Sequence, residues 1–273
     1  MSFQECLRSI DESVCRVLLM PPANAELAQW MRGYADNHRR RLAEDLHLIR
    51  TSASKGSAIL EFGSSPFFLT DALNRAGYRL VGLDIDPARF SETIARCALD
   101  VRSLNFETQP VPFDDESIDV VLFNEVFEHL RIDLIATMRE VCRVLKPGGT
   151  LWLSTPNHRS LVGLWTLLWH NRGCHVCPYL FDEYEKLTLY GHMGHVREYT
   201  VRDVSDFLAR VGLRTRRIRY RNSCPRKRGS VGRAALDKLA RSLTAVLPAL
   251  RPLFTLECER PATSTLRNGP SFS

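Results

Sequence analysis

Short apolar runs alternate with segments of helical periodicity from residue 58 onwards. Runs such as AILEF (58–62) and IDVVLF (118–123) are typical of strands that are buried on both faces. The alternation predicts an α/β fold with a mostly parallel, seven-stranded sheet and helices on both faces. The predicted strands are 58–62, 79–83, 99–104, 118–123, 150–154, 213–220 and 253–259. The predicted helices between them are 66–76, 87–97, 133–145, 201–212 and 231–247.

The remaining segments do not follow this rhythm. Apolar residues recur at helical spacing within residues 1–50, which predicts an N-terminal helical extension before a main domain at 51–260. Residues 156–198 are rich in histidine and aromatic residues, and we interpret them as an insertion after the fifth strand. Residues 261–273 are predicted to form a flexible tail.

The positive charge of the chain is local. The net charge is +6, but residues 214–260 contain 13 arginines and lysines against three acidic residues. A predicted helix within this segment also carries an apolar stripe that includes Leu239, Leu243 and Leu247. Three interpretations remain open for 214–250: weak contact with an anionic membrane surface, binding of nucleic acid, or a solvated face. We expect membrane contact and no nucleic acid, and the sequence does not predict an oligomeric state.

The chain shows no pattern of secretion or membrane spanning. Its longest apolar stretches, 161–169 and 243–250, are too short to cross a bilayer. Eight scattered cysteines without a secretory signal are typical of reduced thiols, so we expect a cytoplasmic protein that can lie peripherally on a membrane. Cys174 and Cys177 have the spacing of metal ligands, but no second pair follows, and we predict no metal site.

Two predicted strands end in residues that suit a nucleotide ligand. The first strand leads into Glu61-Phe62-Gly63-Ser64-Ser65, where small residues let the backbone approach a ligand. The second leads into Asp84-Ile85-Asp86-Pro87. Asp84 can accept hydrogen bonds from both hydroxyls of a ribose. Asp86 is instead predicted to cap the next helix.

Two further segments carry a resemblance to a known family. They are VPFDDESIDVVLFNEVFEHL (111–130) and REVCRVLKPGGTLWLSTPN (139–157). In this order, they resemble the class I methyltransferases that use S-adenosylmethionine, in the branch with LPF-D-x-SFD, EHL and RVLKPGG motifs. The resemblance extends over about residues 58–157 and, less fully, over 195–213. It implies a Rossmann-like fold and an enzyme that transfers a methyl group.

The resemblance also implies roles for individual residues. Contacts to the methionine part of the cofactor, to ribose and to adenine are implied for Glu61, Gly63, Ser64, Asp84, Ile85, Asn105 and Asn124. The sequence departs from the family at Ser64-Ser65-Pro66, where two glycines are usual. It departs again at Asn105, where an acid is usual. An amide oxygen can still accept a hydrogen bond from the adenine amine.

The acceptor of the methyl group is less determined. His195 lies in H-x-R-E-Y, a pattern that related enzymes acting on sugars and glycans often show after the insertion. It is a candidate general base, and a structural anchor is the equal alternative. We expect transfer by direct displacement to a small molecule or saccharide, a class that includes lipid-linked acceptors, and on oxygen. An RNA-modifying enzyme and a non-catalytic binding protein of the same fold are the alternatives.

Overall fold

The computed structural model describes residues 2–19, 21–22, 24–176, 179–190, 194–222 and 231–262. The predicted tail therefore lies almost wholly outside the described residues. The strands are β1 (Ala58–Phe62), β2 (Arg79–Asp84), β3 (Val101–Ser103), β4 (Ile118–Asn124), β5 (Leu145–Pro156), β6 (Arg214–Arg221) and β7 (Leu253–Glu259). The α-helices are α1 (Phe3–Leu18), α2 (Ala25–Ser52), α3 (Phe68–Arg75), α4 (Ser91–Cys97), α5 (Leu134–Val144), α6 (Leu161–His170), α7 (Leu180–Tyr190), α8 (Val201–Arg210) and α9 (Val231–Val246).

The seven strands form one sheet in the order β3-β2-β1-β4-β5-β7-β6. The first five are parallel, and β7 runs antiparallel between β5 and β6. This confirms the predicted mostly parallel, Rossmann-like sheet. The strand order reverses between β1 and β4. In open α/β sheets, ligands bind at the carboxyl ends of the strands beside such a reversal.

Both faces of the central strands are buried, which explains their continuous apolar runs. Ile59, Val120 and Trp152 pack on one side with residues of α1, α2 and α3. Their neighbours Leu60 and Val121 pack on the other side with residues of α5 and α8. The predicted N-terminal extension is therefore one of the two helical layers that cover the sheet, because successive side chains of a strand point to opposite faces.

Several predicted boundaries and one predicted cap are wrong. The helix expected at 87–97 is a 3₁₀ turn (Pro87–Phe90) followed by α4. The side chain of Asp86 caps neither, because its carboxylate pairs with Arg89 at 3.1 Å. β5 begins at Leu145, five residues before the prediction, since the Pro147-Gly148-Gly149 turn is an irregularity within the strand. The insertion, which showed little periodicity, contains α6 and α7.

One buried arginine ties the sheet edge to the N-terminal layer. Arg221 ends β6, and its side chain is 5% exposed. It donates hydrogen bonds to Glu44 at 3.0 Å, to Asp45 at 2.5 Å and to the backbone oxygen of Arg41 at 2.8 Å. Asp45 is also buried. Removing the arginine would therefore leave a carboxylate that is buried without its cation.

We expect Arg221→Ala to lower the free energy of unfolding by about 3–5 kcal/mol, because it breaks a buried ion pair from one side. Arg216→Ala is the matched control. Arg216 lies on β6, as Arg221 does, but it pairs with Glu259 of β7 and its own side chain is 53% exposed. The control should cost less than about 1 kcal/mol. Urea denaturation measures both, and equal costs would contradict the structural role of Arg221.

Candidate functional site

A cavity of about 510 Å³ opens at the carboxyl ends of the parallel strands. Its volume is within the usual range for small-molecule sites. Residues that follow β1, β2, β4 and β5 line it, α2 covers one side, and parts of the insertion cover another. Of the predicted site residues, it brings together Gly63, Asp84, Ile85, Asn105, Asn124 and His195.

The turn after β1 needs a glycine at its first position. Gly63 has a φ of +65°, which is unfavourable for residues with a side chain. A Cβ atom there would lie 2.7 Å from Cγ2 of Val126. The turn is held by the backbone N–H of Gly63, which donates to Leu83 at 2.8 Å. The backbone thus borders the cavity without an intervening side chain.

Asp84 ends β2 and lies at the wall of the cavity. One carboxylate oxygen, Oδ2, accepts a hydrogen bond from the backbone N–H of Ser65 at 3.0 Å. A carboxylate can accept about four hydrogen bonds, so acceptor capacity remains for a ligand. Ile85 follows, and 40% of it is exposed, which leaves an apolar surface beside the acid. The pair offers an acceptor and a packing surface, as ribose and adenine require.

The two asparagines differ in their free capacity. The side-chain oxygen of Asn105 accepts from the backbone N–H of Glu107 at 3.2 Å. By contrast, Oδ1 of Asn124 is buried and has no hydrogen-bond partner in the described structure. An unpaired buried acceptor costs free energy unless a ligand donates to it. Of the two asparagines, Asn124 is therefore the one whose side-chain oxygen is available to a hydrogen-bond donor of a ligand.

Glu61 and Ser64 do not line the main cavity. They lie in a smaller adjoining recess, which Gly63, Asn124 and Arg41 also border. Oε2 of Glu61 accepts a hydrogen bond from Thr70 at 2.7 Å. Burial raises the pKa of Glu61 to about 8, although the Thr70 hydroxyl opposes this shift. The carboxyl is thus mainly protonated at neutral pH in this structure.

This raised pKa predicts a pH-dependent stability. A carboxyl whose pKa rises from 4.5 to about 8 on folding takes up a proton, so stability falls as pH rises through that interval. Glu61→Gln removes this loss. Relative to its effect at pH 5, the substitution should gain on the order of 4 kcal/mol of unfolding free energy at pH 8.5, since the loss accumulates over about three pH units.

Urea denaturation at both pH values measures the difference, with Glu92→Gln on the exposed side of α4 as control. An unchanged difference between pH 5 and pH 8.5 would show that Glu61 keeps an ordinary pKa.

Arg41 is a site residue that the sequence analysis missed. It is 1% exposed, it borders both the cavity and the recess, and it donates a hydrogen bond to the hydroxyl of Tyr34. Its Nε is buried without a hydrogen-bond partner among the described residues. Burial alone would lower its pKa, but Tyr34, Glu125 and Asp45 together keep the pKa above its usual value. A fixed cation with a free donor suits an anionic group of a ligand.

The part of the cavity beside the insertion is rich in imidazole and carboxyl groups. His195 lies edge-on to His129, with ring centroids 4.8 Å apart, and its Nε2 is 3.9 Å from Oε1 of Glu128. Burial, assisted by His129, lowers the pKa of His195 to about 3. Burial and Glu125 raise the pKa of Glu128. His195 is therefore uncharged at neutral pH, and the shift of Glu128 favours its protonated form.

The donor atoms of Glu128, His129 and His195 lie within 4.8 Å of one another. An ion bound at about 2.1 Å holds its ligands no more than about 4.2 Å apart, so the group would have to contract to bind one. We assign it no metal.

The described part of the Cys174–Cys177 segment contains a histidine that pairs with a buried carboxylate. Cys177 lies outside the described residues. The ring Nδ1 of His175 hydrogen-bonds to Glu198, and the backbone N–H groups of His175 and Val176 donate to the same carboxylate at 2.8 and 2.9 Å. His175 also lines the cavity. Two residues of the H-x-R-E-Y pattern, His195 and Glu198, are thus connected to this end of the site.

The basic strand is largely paired within the protein. Arg214 and Arg216 both pair with Glu259, and Arg217 pairs with Glu257 across the β6–β7 ladder. The apolar stripe of α9 is different, because its described members are exposed: Leu239, Leu243, Val246 and Leu247 are 40–78% accessible. Among the described helices, none combines the length and the apolar character that crossing a membrane requires.

The residues around the cavity fit S-adenosylmethionine. Asp84 offers acceptors for ribose, Asn124 has an orphan acceptor for an ammonium group, and Arg41 has an orphan donor for a carboxylate. A family model described as a methyltransferase domain matches residues 60–153, which contain β1 to β5 up to Leu153. Residues 60–153 belong to the class I S-adenosylmethionine-dependent methyltransferase family. The cofactor of this methyltransferase domain is S-adenosylmethionine.

Curated relatives agree over the same region. A probable S-adenosylmethionine-dependent methyltransferase of Mycolicibacterium smegmatis is 38% identical over 103 residues, which are 37% of this chain and 39% of that protein. The human mitochondrial ubiquinone biosynthesis O-methyltransferase is 34% identical over 116 residues, which are 39% of this chain and 30% of the relative. The phthiotriol/phenolphthiotriol dimycocerosates methyltransferase of Mycobacterium leprae is 35% identical over 115 residues, 40% and 42% of the two chains. The chain thus spans less than half the length of these relatives.

Solved structures confirm the fold of the methyltransferase domain beyond the matched region. A complex of the Haloferax volcanii Trm112 methyltransferase activator with a putative methyltransferase gives a TM-score of 0.57 at 19% identity, over 84% of this chain and 93% of the other. A possible histamine N-methyltransferase of Thermotoga maritima gives 0.54 at 15% identity, over 86% and 97%. At such identities, the likeness concerns the fold alone.

Proposed function

We propose that the protein transfers the methyl group of S-adenosylmethionine to a hydroxyl oxygen of a small-molecule or saccharide acceptor. The observation that carries this proposal is that one cavity is lined both by Asp84 and Asn124 and by His175 and His195 of the insertion. A methyl donor and its acceptor must meet within one enclosed space. Holding them in line is worth several kcal/mol of the barrier.

Different residues of the chain bind different parts of the cofactor. Asp84 accepts from the ribose hydroxyls, Ile85 packs on adenine, and Arg41 meets the carboxylate of the methionine part. Asn124 accepts from its ammonium group through Oδ1, which has no hydrogen-bond partner among the described residues. When bound, S-adenosylmethionine supplies a methyl group on a positively charged sulfur. Glu61 and the backbone of Ser64 are both hydrogen-bonded to Thr70 in the adjoining recess.

Oxygen is the atom that the available comparisons favour. One relative is named for O-methylation in ubiquinone biosynthesis and another for methylation of a phthiotriol dimycocerosate. Both names describe small molecules, and neither describes RNA. The pairing of Arg214, Arg216 and Arg217 with acids on β7 also reduces the charge available to a nucleic acid. RNA modification is therefore the weaker alternative.

The acceptor can be sought directly. Purified protein is incubated with a cell extract and S-adenosylmethionine that carries a deuterated methyl group, and the labelled products are identified by mass spectrometry. Labelled small molecules or glycans support the proposal, whereas labelled RNA supports the alternative. If the cofactor binds and no extract component is labelled, the protein is a binding protein with this fold.

Asp84→Ala should weaken binding of S-adenosylhomocysteine by about 2 kcal/mol, because the ribose hydroxyls lose their acceptor. This corresponds to roughly a 30-fold higher Kd. Isothermal titration calorimetry gives both values. Asp86→Ala is the matched control, since Asp86 is two residues away and pairs with Arg89 on the surface. The assignment of Asp84 fails if the two variants bind equally.

We further propose that α9 contacts an anionic membrane surface. The support is an exposed apolar stripe, with Leu239 and Leu243 at 66% and 40% exposure, beside Lys238 and Arg241. Apolar burial and attraction to anionic lipid together give such helices their affinity. A lipid-linked acceptor would then reach the cavity from the membrane.

Replacing Leu239, Leu243 and Leu247 with serine should abolish co-sedimentation with vesicles that contain anionic lipid. Neutral vesicles and a parallel RNA titration serve as controls, and circular dichroism checks that the variant is folded. If the parent protein stays in the supernatant at low salt, it has no membrane contact through α9.

A further inference from the structure

We propose that His175 is the general base of the methyl transfer and that Glu198 is its positioning residue. The inference deepens the proposed function and rests on it. It assigns the role to a histidine inside the insertion rather than to His195. Three features of the described structure support it: the anchoring of the ring, the free nitrogen, and the surrounding charges.

The ring of His175 is fixed by a buried carboxylate. Its Nδ1 hydrogen-bonds to Oε2 of Glu198, whose side chain has no exposed surface. Oε1 of Glu198 accepts from the backbone N–H groups of His175 and Val176 at 2.8 and 2.9 Å. An ionised carboxylate only accepts hydrogen bonds, so Nδ1 carries the proton and Nε2 is left with a lone pair. This is the arrangement that orients catalytic imidazoles.

The other nitrogen of the ring is free to act. Nε2 of His175 is buried and has no hydrogen-bond partner within the described parts of the chain, while the residue lines the cavity. A buried acceptor without a donor is unfavourable. An acceptor hydroxyl in the cavity can supply that donor. The ground-state hydrogen bond then lies along the path of proton transfer.

Glu198 can stabilise the charge that appears on the ring. Burial raises the pKa of Glu198, but hydrogen bonds from His175 and from the backbone of Val176 together lower it by more. The pKa of Glu198 is therefore below its ordinary value. The carboxylate is therefore ionised when His175 gains a proton. His158 faces the same carboxylate, with its Nδ1 3.8 Å from Oε2. The other titratable groups around His175 are Cys174, Glu183, Lys186 and His195.

His195 lacks these features. No carboxylate oxygen lies within hydrogen-bond distance of its ring in the described structure, since Oε1 of Glu128 is 3.9 Å from Nε2. Its Nδ1 is buried without a partner, and its backbone N–H donates to Glu183 at 2.9 Å. Burial also keeps its pKa near 3, which makes it a weak proton acceptor. We assign His195 to the wall of the acceptor site.

The transfer conserves atoms and charge. The acceptor oxygen forms a bond to the methyl carbon, and the carbon–sulfur bond breaks with its electron pair going to sulfur, which leaves neutral S-adenosylhomocysteine. The hydroxyl proton moves to Nε2 of His175. The resulting imidazolium returns this proton to solvent after the product leaves. No oxidant or further co-reactant takes part.

The kinetic test uses the extract fraction that the parent labels most strongly as the acceptor probe. His175→Asn should lower turnover by about 10²–10⁴-fold. Affinity for S-adenosylhomocysteine should stay within about two-fold, because a base that acts only in the reaction step contributes to turnover and not to binding. The matched control is His170→Gln, an exposed histidine at the end of α6 in the same insertion.

Glu198→Gln separates positioning from mere structural support. Loss of the carboxylate removes the acceptor that holds Nδ1–H and the charge that stabilises the protonated ring, so kcat should fall while affinity for S-adenosylhomocysteine stays within about two-fold. Glu198→Asp should recover part of kcat, because it restores the carboxylate. Weaker binding of S-adenosylhomocysteine in Glu198→Gln, or no recovery of kcat in Glu198→Asp, would assign Glu198 a structural role only.

A spectroscopic test needs no acceptor. Nitrogen NMR of protein with ¹⁵N-labelled histidine and bound S-adenosylhomocysteine should show His175 protonated on Nδ1, with its signal identified by its loss in His175→Asn. Protonation on Nε2 would overturn the proposal. Turnover equal to that of the parent protein in a folded His175→Asn variant would also overturn it. If the parent labels nothing although it binds S-adenosylhomocysteine, the proposed function fails instead.

Discussion

The site depends on the burial of both faces of the parallel strands. Because β1 and β4 are covered by helices on each side, their carboxyl ends align at one edge and their loops must meet there. The same burial requires α2 to lie against the sheet. That packing brings Arg41 to the cavity, since Arg41 and Asp45, one turn apart on α2, are both buried. The cofactor end of the cavity therefore follows from core packing.

Low polarity around the cavity gives similar groups different charges. Glu61 and Glu198 are both buried, yet burial dominates the pKa of Glu61, whereas hydrogen bonds from His175 and the backbone dominate that of Glu198. The first carboxyl is mainly neutral at pH 7 and the second is ionised. A carboxylate with three donors compensates its own desolvation, while a carboxyl with one hydroxyl partner does so only by keeping a proton. The number of donors, not the depth of burial, separates the two.

The sequence predicted the sheet and the strand-end residues, because these depend on local periodicity. Asp84 could be placed since it ends an apolar run, and the structure puts it at the cavity wall. The boundaries of β5 could not, because its start depends on pairing with Ile118 rather than on the local glycine turn. Arg41 carried a weaker signal, since it shares a helical face with the apolar residues of α2. The pairing of His175 with Glu198 had none, because the residues are 23 positions apart across the insertion.

The insertion begins and ends at adjacent positions beside the end of β5. Asn157 bridges to Tyr199, and the backbone N–H of His158 donates to Tyr199 at 3.0 Å. The end of β5 and the start of α8 are therefore held together by backbone contacts. Because these contacts anchor the insertion to the sheet, changes within it need not disturb the strands that hold the cofactor. Glu198 precedes Tyr199, so its hydrogen bonds fix the position of His175 relative to the sheet although the segment around His175 is irregular. Acceptor chemistry can thus be fixed relative to the cofactor by a carboxylate at the base of the insertion.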